Sequence, residues 1–279
     1  MRQLTIKNQA SLKGKGLHTG SRVSVLIKPA PENSGIIIEN SGEIYSLHAG
    51  LVTSTSRGTV IEKGTSRVHT VEHMLAAVKA LGLDNIVLNI DGEEAPAMDG
   101  SALGFVKAIK RAGIMSQNAA KKIVEIKNPI VTGSGSKYMA VLPADSFYVS
   151  YFSDFSEMGL APQHASCEVT SGNFESKISK ARTFGFNAEI SALKKAGLIM
   201  GADSNNAVVF DEKGRPVNTR LRAANEPSMH KVLDIIGDFA FIPGLLKIAV
   251  VAYRTGHTEN IEMVRRILKN ALYYVEKLH

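Results

Sequence analysis

The sequence of 279 residues predicts an α+β fold, and three observations support this prediction. Apolar and polar residues alternate in the first third of the chain, as in Val23–Ile27, with the period of two that is typical of strands. From Val71 onward the apolar residues recur at the helical spacing of three and four. The order helix, strand, turn, helix then occurs twice. We therefore expect two similar halves that face each other across a cleft.

The elements of the first half follow from apolar spacing and from turn residues. The predicted elements are strands at 23–27, 35–38 and 86–90, and helices at 71–81 and 103–112. Gly82 and Gly113 end the two helices, because glycine readily adopts the left-handed conformation found after a helix. The turns at 40–42 and 84–85 are rich in Asn, Asp and Gly, which are typical turn residues.

The second half repeats this order. Its predicted elements are a strand at 123–126, a hairpin loop at 133–136, helices at 226–242 and 260–275, and a strand at 246–253. Asn225 is a candidate N-cap, Pro227 lies in the first helical turn, and Pro243 follows the end of that helix. The polar segment 117–122 separates the halves. We therefore expect domains at 1–120 and 121–279, with the active site in the cleft between them.

Composition narrows the class of protein. Hydrophobic residues make up 44% and charged residues 21%, which is typical of a soluble globular chain and not of a disordered or fibrous one. The N-terminus lacks the apolar core of a signal peptide and no long apolar run is present, so we expect a cytoplasmic protein without a transmembrane segment. Cys167 is the single cysteine, so any metal ligands must be His, Asp or Glu. The net charge of +7 is spread over both halves and is not interleaved with aromatic residues, which argues against nucleic-acid binding.

The helix at 226–242 carries a polar stripe. Apolar residues cover most of its circumference, so we expect it to be buried nearly all round. His230, Asp234 and Asp238 nevertheless recur every four residues and share one face. Because buried polar groups need partners, the stripe is either a structural hydrogen-bond network or a functional site. In the functional interpretation, His230 and Asp234 are metal ligands and Asp238 supports catalysis one turn further on.

The earlier helix supplies Glu72 and His73. Adjacent helical residues point in different directions, so one can bind a metal while its neighbour reaches the reacting water. With His73 as third ligand, the site has two imidazoles, one carboxylate and an open position, which is the ligand count of a catalytic zinc. The alternative is that both residues form a solvated helix start.

Four further residues are candidates for binding or catalysis. His257 follows the predicted strand 246–253 in a turn, where an imidazole suits a general acid, although a surface turn residue fits the same pattern. The Thr183 hydroxyl can stabilise an oxyanion or can serve as an ordinary strand or cap residue. His18 and Lys231 are candidate anion contacts or solvated surface residues.

Two other metal chemistries remain open at this point. His69, Glu72 and His73 spell the His-x-x-Glu-His motif of inverted zinc peptidases, which needs a helix that begins before His69. Thr70 is a plausible N-cap and would leave His69 outside that helix. Two histidines and one carboxylate are also the facial triad of ferrous oxygenases.

Five motifs together resemble the UDP-3-O-acyl-N-acetylglucosamine deacetylase family over essentially the whole chain. They are Gly16–Gly20, Thr70–His73, Pro96–Ser101, Ala181–Phe186 and His230–Asp238. The family consists of zinc enzymes that commit Gram-negative bacteria to lipid A synthesis by removing an N-acetyl group. The resemblance implies two domains of like topology, each a sheet with two helices, with the helices sandwiched between the sheets. The chain departs from the family pattern at Ala223, Ala224 and Met229.

The resemblance also assigns roles to single residues. It implies zinc on His73, His230 and Asp234, with Fe²⁺ allowed at the same site. Glu72 is then the general base, His257 the acid that protonates the leaving amine, Asp238 its support, and Thr183 the oxyanion contact. The implied substrate contacts are Lys231 at the diphosphate, Phe155 at the uracil, His18 and Phe184, with Ile199 and Met200 along an acyl passage. The implied partner is an acylated UDP-sugar; transient contact with the inner membrane is allowed and no oligomer is implied.

Overall fold

The computed structural model describes residues 1–275 and confirms the α+β class. The first half forms β1 (Arg2–Ile6), β2 (Ala10–Lys15), β3 (Arg22–Pro29), β4 (Ile36–Asn40), β5 (Glu43–Ser46), β6 (Val52–Ser54), β7 (Val60–Lys63), β8 (Ser66–Val68), α1 (Glu72–Ala80), β9 (Ile86–Asp91), α2 (Leu103–Ala112) and β10 (Ile114–Ala120). The second half forms β11 (Lys122–Glu125), β12 (Ile130–Ser134), β13 (Lys137–Pro143), β14 (Tyr148–Phe155), β15 (Leu160–Glu168), α3 (Ser171–Asn173), β16 (Phe184–Phe186), α4 (Asn187–Lys195), β17 (Val208–Phe210), α5 (Glu226–Asp238), β18 (Leu245–Tyr253), α6 (His257–Asn270) and β19 (Leu272–Val275).

Each half has one large mixed sheet. The first has the strand order β2-β3-β9-β4-β5, in which only β4 and β9 run parallel. In the second sheet β18 is central and pairs with β11, β13 and β14, while β12, β15 and β19 lie outside these. Within the described residues, the strands before 121 pair with one another and those after 121 do likewise. The domain boundary at 120/121 stays a prediction.

The helices α1, α2, α5 and α6 lie between the two large sheets, as expected, whereas α4 is not buried and packs on β16. α2 packs on β2, α1 packs on α2 and α5, and α5 packs on β14 and β15. α1 and α5 are buried over most of their surfaces, and one apolar cluster joins the inner faces of both sheets to these helices. The α1–α5 crossing is close because position 237 is glycine, where a Cβ atom would overlap the carbonyl oxygen of Glu72. The functional residues on the two helices are therefore brought together by backbone contact.

Several predicted element bounds agree with the structure. α2 spans the predicted residues and Gly113 follows it with φ +77°. α1 is slightly shorter than expected, with Gly82 at φ +72° just beyond its end. The predicted hairpin loop joins β12 and β13.

Three local predictions are wrong. The polar segment at 117–122 is not a break, because residues 117–120 belong to β10, which pairs with β1. The last helix spans 257–270 rather than 260–275, since the chain turns at Ala271 into β19, which pairs with β11. Asn225 does not cap α5, because its side-chain amide donates to the carbonyl of His164.

Candidate active site

The polar stripe of α5 is buried, as its pattern predicts. His230, Asp234 and Asp238 are each at most 3% exposed. His230 Nδ1 lies 3.0 Å from the carbonyl oxygen of Ala181, which leaves Nε2 directed at Asp234 Oδ1, 3.4 Å away. The Ala181 carbonyl fixes the imidazole so that Nε2 is the free ligand atom.

The first turn of α1 brings His73 to the same place. His73 Nε2 lies 3.7 Å from Asp234 Oδ1. One ligand atom from each of His73, His230 and Asp234 can be chosen so that all three atoms lie within 4.8 Å of one another. Asp234 Oδ1 is buried and has no hydrogen-bond partner among residues 1–275. A buried carboxylate oxygen without a donor is costly, whereas a metal ion would satisfy it. Two imidazole nitrogens and one carboxylate oxygen are a donor set that suits zinc, so these residues fit the expected metal.

The protonation states of this group also suit metal binding. Burial, with the neighbouring His230, lowers the pKa of His73 to about 3, and burial also lowers the pKa of His230. Burial opposes ionisation of Asp234, but the Lys231 ammonium, with a further contribution from charged His257, outweighs it and holds that pKa well below its usual range. Two neutral imidazoles and one carboxylate are the forms that ligate a metal.

A second carboxylate and a third imidazole stand beside this group. Glu72 is 2% exposed, and its Oε1 lies 3.7 Å from His257 Nε2. Burial raises the pKa of Glu72 to about 7, although the nearby His257 opposes the shift. Burial lowers the pKa of His257, but Asp238 and Glu72 outweigh it and raise that pKa to about 9. Near neutral pH the site therefore contains one carboxylate that can accept a proton, Glu72, and one charged imidazole that can donate a proton, His257.

His257 is positioned differently from the prediction. It is the first residue of α6, not a residue of a turn at the end of a strand, and Gly256 precedes the helix with its N–H bonded to Glu259. His257 Nδ1 lies 2.8 Å from Asp238 Oδ2. Because Asp238 is one turn beyond Asp234 on α5, the metal ligand and the partner of His257 belong to one rigid helix.

The structure separates His69 from the metal-ligand group. α1 begins at Glu72, so His69 lies before the helix and its Nε2 accepts a hydrogen bond from Arg67. The two histidines of the peptidase motif are therefore not one helical turn apart. The predicted N-cap role of Thr70 is also wrong: Thr70 has φ +55°, and its hydroxyl donates to the buried Glu94.

The predicted substrate contacts line two adjoining cavities. A cleft of about 460 Å³ opens over the metal-ligand group and is lined by Thr183, Phe184, Phe155 and Lys231. His18 lines a neighbouring cavity of about 260 Å³ that shares Thr183 and Phe184 with the cleft. The walls of this second cavity include the apolar residues Leu17, Phe186, Ile190, Leu193, Ile199 and Val209. Ile199 lines this cavity, whereas Met200 is 59% exposed and is not among its lining residues, so a place for Met200 along an acyl passage stays a prediction.

Thr183 and Lys231 are held by specific contacts. The Thr183 N–H donates to the carbonyl of Gly100, where a Cβ atom would overlap the Asn206 carbonyl, so the glycine of the Pro96–Ser101 motif permits this approach. Lys231 Nζ donates to Asp234 Oδ2 at 2.6 Å. Burial opposes its charge, but Asp234 outweighs burial and raises the pKa of Lys231.

The sequence patterns did not point to several buried polar residues around the site. Thr59 and Asn260 both donate to Asp238, Glu94 ties the Gly16–Gly20 loop to Thr70, and Glu226 pairs with Arg182. Each acts through a partner far away in the sequence. The one available signal was the position of two of these residues in the sequence. Glu94 lies two residues before the Pro96–Ser101 motif, and Arg182 belongs to the Ala181–Phe186 motif.

Comparisons with known proteins identify the family and relatives of this chain. The chain matches the family described as LpxC, UDP-3-O-acyl N-acetylglycosamine deacetylase, over residues 3–269. A UDP-3-O-acyl-N-acetylglucosamine deacetylase of Wolinella succinogenes is 36% identical over 276 residues, which cover 98% of this chain and 93% of the relative. Proteins of the same name from Teredinibacter turnerae and Pseudomonas entomophila are 38% and 37% identical and are covered over 91% and 90% of their lengths. Among residues 1–275, no helix is long and apolar enough to cross a membrane.

Proposed function

The chain belongs to the UDP-3-O-acyl-N-acetylglucosamine deacetylase family, and we propose that it hydrolyses the acetamide of UDP-3-O-acyl-N-acetylglucosamine and releases acetate. The supporting observation is that His73, His230 and Asp234 meet in a buried group beside Glu72 and His257, at the base of one cleft. This reaction is the step of lipid A synthesis that the family resemblance implies. The expected cytoplasmic location stays a prediction.

We assign the metal to His73, His230 and Asp234. Zinc is the proposed ion, and Fe²⁺ is compatible with the same donors. When bound, the ion supplies Lewis-acid chemistry: it lowers the pKa of water toward about 7 and polarises a carbonyl oxygen. Asp234 keeps its second oxygen on Lys231, so the helix face and the lysine together fix the orientation of the carboxylate.

Glu72 acts as the general base in this proposal. Its carboxylate takes a proton from the attacking water, whose oxygen adds to the acetyl carbon. Burial keeps the carboxylate basic near neutral pH, which is the range in which a general base is most effective. The Thr183 hydroxyl donates to the oxyanion that forms on the carbonyl oxygen.

His257 completes the reaction as the general acid. When the C–N bond breaks, its imidazolium gives a proton to the glucosamine nitrogen, so the leaving group departs as an amine. Asp238 holds the charged ring through Nδ1 and leaves Nε2 facing the reacting groups. Glu72 has then gained one proton from water and His257 has given one to the nitrogen, so the products are the amine and acetic acid, which ionises to acetate. Transfer of the proton from Glu72 to His257, whose Nε2 lies 3.7 Å from Glu72 Oε1, restores both residues.

The cavities suggest how the substrate is held. The acyl chain occupies the apolar 260 Å³ cavity, whose walls include Ile199 and which adjoins His18. Phe184 lies between the two cavities and contacts Phe155 edge-on, with ring centroids 5.5 Å apart. We place the uracil against Phe155 and a diphosphate oxygen near Lys231, because both residues line the cleft of about 460 Å³.

Acetate release from the acylated UDP-sugar tests this function. Metal-loaded protein is expected to release one acetate per amine formed, at equal rates with and without oxygen, and His230→Ala is expected to release none. The same sugar nucleotide without its acyl chain tests whether the apolar cavity contributes to recognition. Absence of acetate from metal-verified protein would contradict the proposal, and oxygen-dependent turnover would indicate an oxygenase instead.

A further inference from the structure

Thr59 lies between Glu72, the proposed base, and Asp238, which holds the proposed acid His257 in place. We propose that Thr59 is a positioning residue that fixes the distance between Glu72 and the His257–Asp238 pair. This inference rests on the proposed function, since it concerns the same reaction. Neither the sequence patterns nor the family resemblance drew attention to this residue.

Thr59 contacts both sides through different atoms. Its backbone N–H donates to Glu72 Oε2 at 3.0 Å, and its hydroxyl donates to Asp238 Oδ1 at 2.6 Å. The hydroxyl oxygen is also 3.4 Å from His257 Nδ1. Thr59 is fully buried, so water does not compete for these contacts. Thr59 therefore connects the carboxylate of Glu72, the proposed base, with the carboxylate of Asp238, which orients His257.

The backbone of Thr59 is itself held in place. Its carbonyl accepts a hydrogen bond from the N–H of Val71, just before α1, and β7 begins at the next residue, Val60. The preceding residue is Gly58, where a Cβ atom would lie 3.2 Å from Glu72 Oε1. The absence of a side chain there allows the strand to approach the carboxylate. A β-branched threonine also has few rotamers, so little freedom remains for its hydroxyl.

The hydroxyl completes the hydrogen bonding of Asp238. Asp238 Oδ2 accepts from Asn260 Nδ2 and pairs with His257 Nδ1, both at 2.8 Å, while Oδ1 accepts from Thr59. Because an ionised carboxylate only accepts, all of these partners must be donors. Loss of the Thr59 donor would leave Oδ1 unpaired in a buried site, and the carboxylate would be free to rotate away from His257.

A purely structural role makes a different prediction. If Thr59 only fills space, valine should replace it well and serine should be the poorer substitute, because serine lacks the methyl group. If Thr59 positions the two carboxylates, serine should be the better substitute and valine should fail. The surface substitution Thr65→Val is the matched control, since Thr65 is exposed and its hydroxyl bonds a backbone carbonyl.

The test compares kcat, KM and metal content of Thr59→Val, Thr59→Ser and Thr65→Val. We expect Thr59→Val to lower kcat by about tenfold to a hundredfold, as misplaced catalytic groups do, with KM and one bound metal retained. Thr59→Ser should recover most of the loss. Unchanged kcat in Thr59→Val, equal loss in both variants, or loss of metal would overturn the proposal. If Thr59→Val does not fold, Thr59→Ala takes its place in the same comparison.

A second readout does not depend on turnover. The proton on His257 Nδ1 should give a downfield NMR signal that exchanges slowly, identified by its loss in His257→Gln. The signal should shift or exchange faster in Thr59→Val and should persist in Thr59→Ser; an unchanged signal in Thr59→Val overturns the proposal. If wild-type protein releases no acetate while the signal responds as expected, the proposed function fails and the positioning role stands.

Discussion

Replacement of Glu72 by glutamine is the most informative single perturbation of the proposed chemistry. The amide has the shape of the carboxylate and can still accept the hydrogen bond from the Thr59 N–H, so the fold around it should persist. It cannot take a proton from water. Glu72 is not a member of the metal-ligand group, so metal binding should be unaffected.

The size of the effect follows from the position of Glu72. Its carboxylate is fully buried, lies beside the ligand group, and has a pKa raised by burial to about 7, so it can supply the full benefit of a general base. General bases contribute roughly a hundredfold to ten-thousandfold, or about 3–5 kcal/mol of activation free energy. We therefore expect Glu72→Gln to lower kcat at least about a hundredfold, with KM changed by less than about threefold.

The assay is acetate release by protein whose metal content has been measured. Glu93→Gln is the matched control, because Glu93 is an exposed carboxylate on the segment before the Pro96–Ser101 motif. Turnover of Glu72→Gln within about tenfold of wild type, in a sample with one metal per chain, would refute the role of Glu72 as base.

Three further predictions concern metal, packing and pH. His69→Ala should retain one metal per chain, whereas His230→Ala should lose it, because only His230 belongs to the ligand group; metal analysis after dialysis measures this. Gly237→Ala should destabilise the fold by about 1–3 kcal/mol in urea unfolding, because its Cβ would overlap the Glu72 carbonyl. Burial outweighs the nearby Asp84 and lowers the pKa of Lys79 from 10.5 to about 7, so the unfolded chain binds more protons between these values and stability rises with pH there. Relative to Lys79→Met, wild type should gain about 2 kcal/mol in unfolding free energy from pH 7 to pH 9.

Each of these predictions has a contradicting result. Loss of metal from His69→Ala would favour the peptidase motif. Wild-type stability of Gly237→Ala would show that α1 and α5 separate easily. Parallel pH profiles for wild type and Lys79→Met would show that the Lys79 ammonium stays charged in the folded protein.

The polar stripe of α5 shows what the sequence was able to predict. An apolar helix with His230, Asp234 and Asp238 at every fourth residue fixes three side chains on one face without any knowledge of the tertiary structure. Glu72 and His73 were likewise predictable as neighbours at a helix start. Helical periodicity is local, so these parts of the site could be read from the chain alone.

The meeting of the two helices was not available from local patterns. It depends on Gly237 allowing the carbonyl of Glu72 to approach, and a helical glycine alone does not indicate a partner. The start of α6 was misplaced because Gly256 and Glu259 form the N-terminal hydrogen bond that apolar spacing does not show. β10 and β19 were missed since their strand character comes from pairing with distant strands. Thr59 was missed for the same reason.

In the proposed mechanism, deacetylation requires one metal ion held by His73, His230 and Asp234. Titration of zinc into metal-depleted protein, with acetate release from the acylated UDP-sugar measured at each addition, tests it most directly. We predict negligible release without metal and a linear increase that levels off at one zinc per chain. Full turnover by metal-depleted protein, or no turnover at any zinc concentration, would contradict the claim.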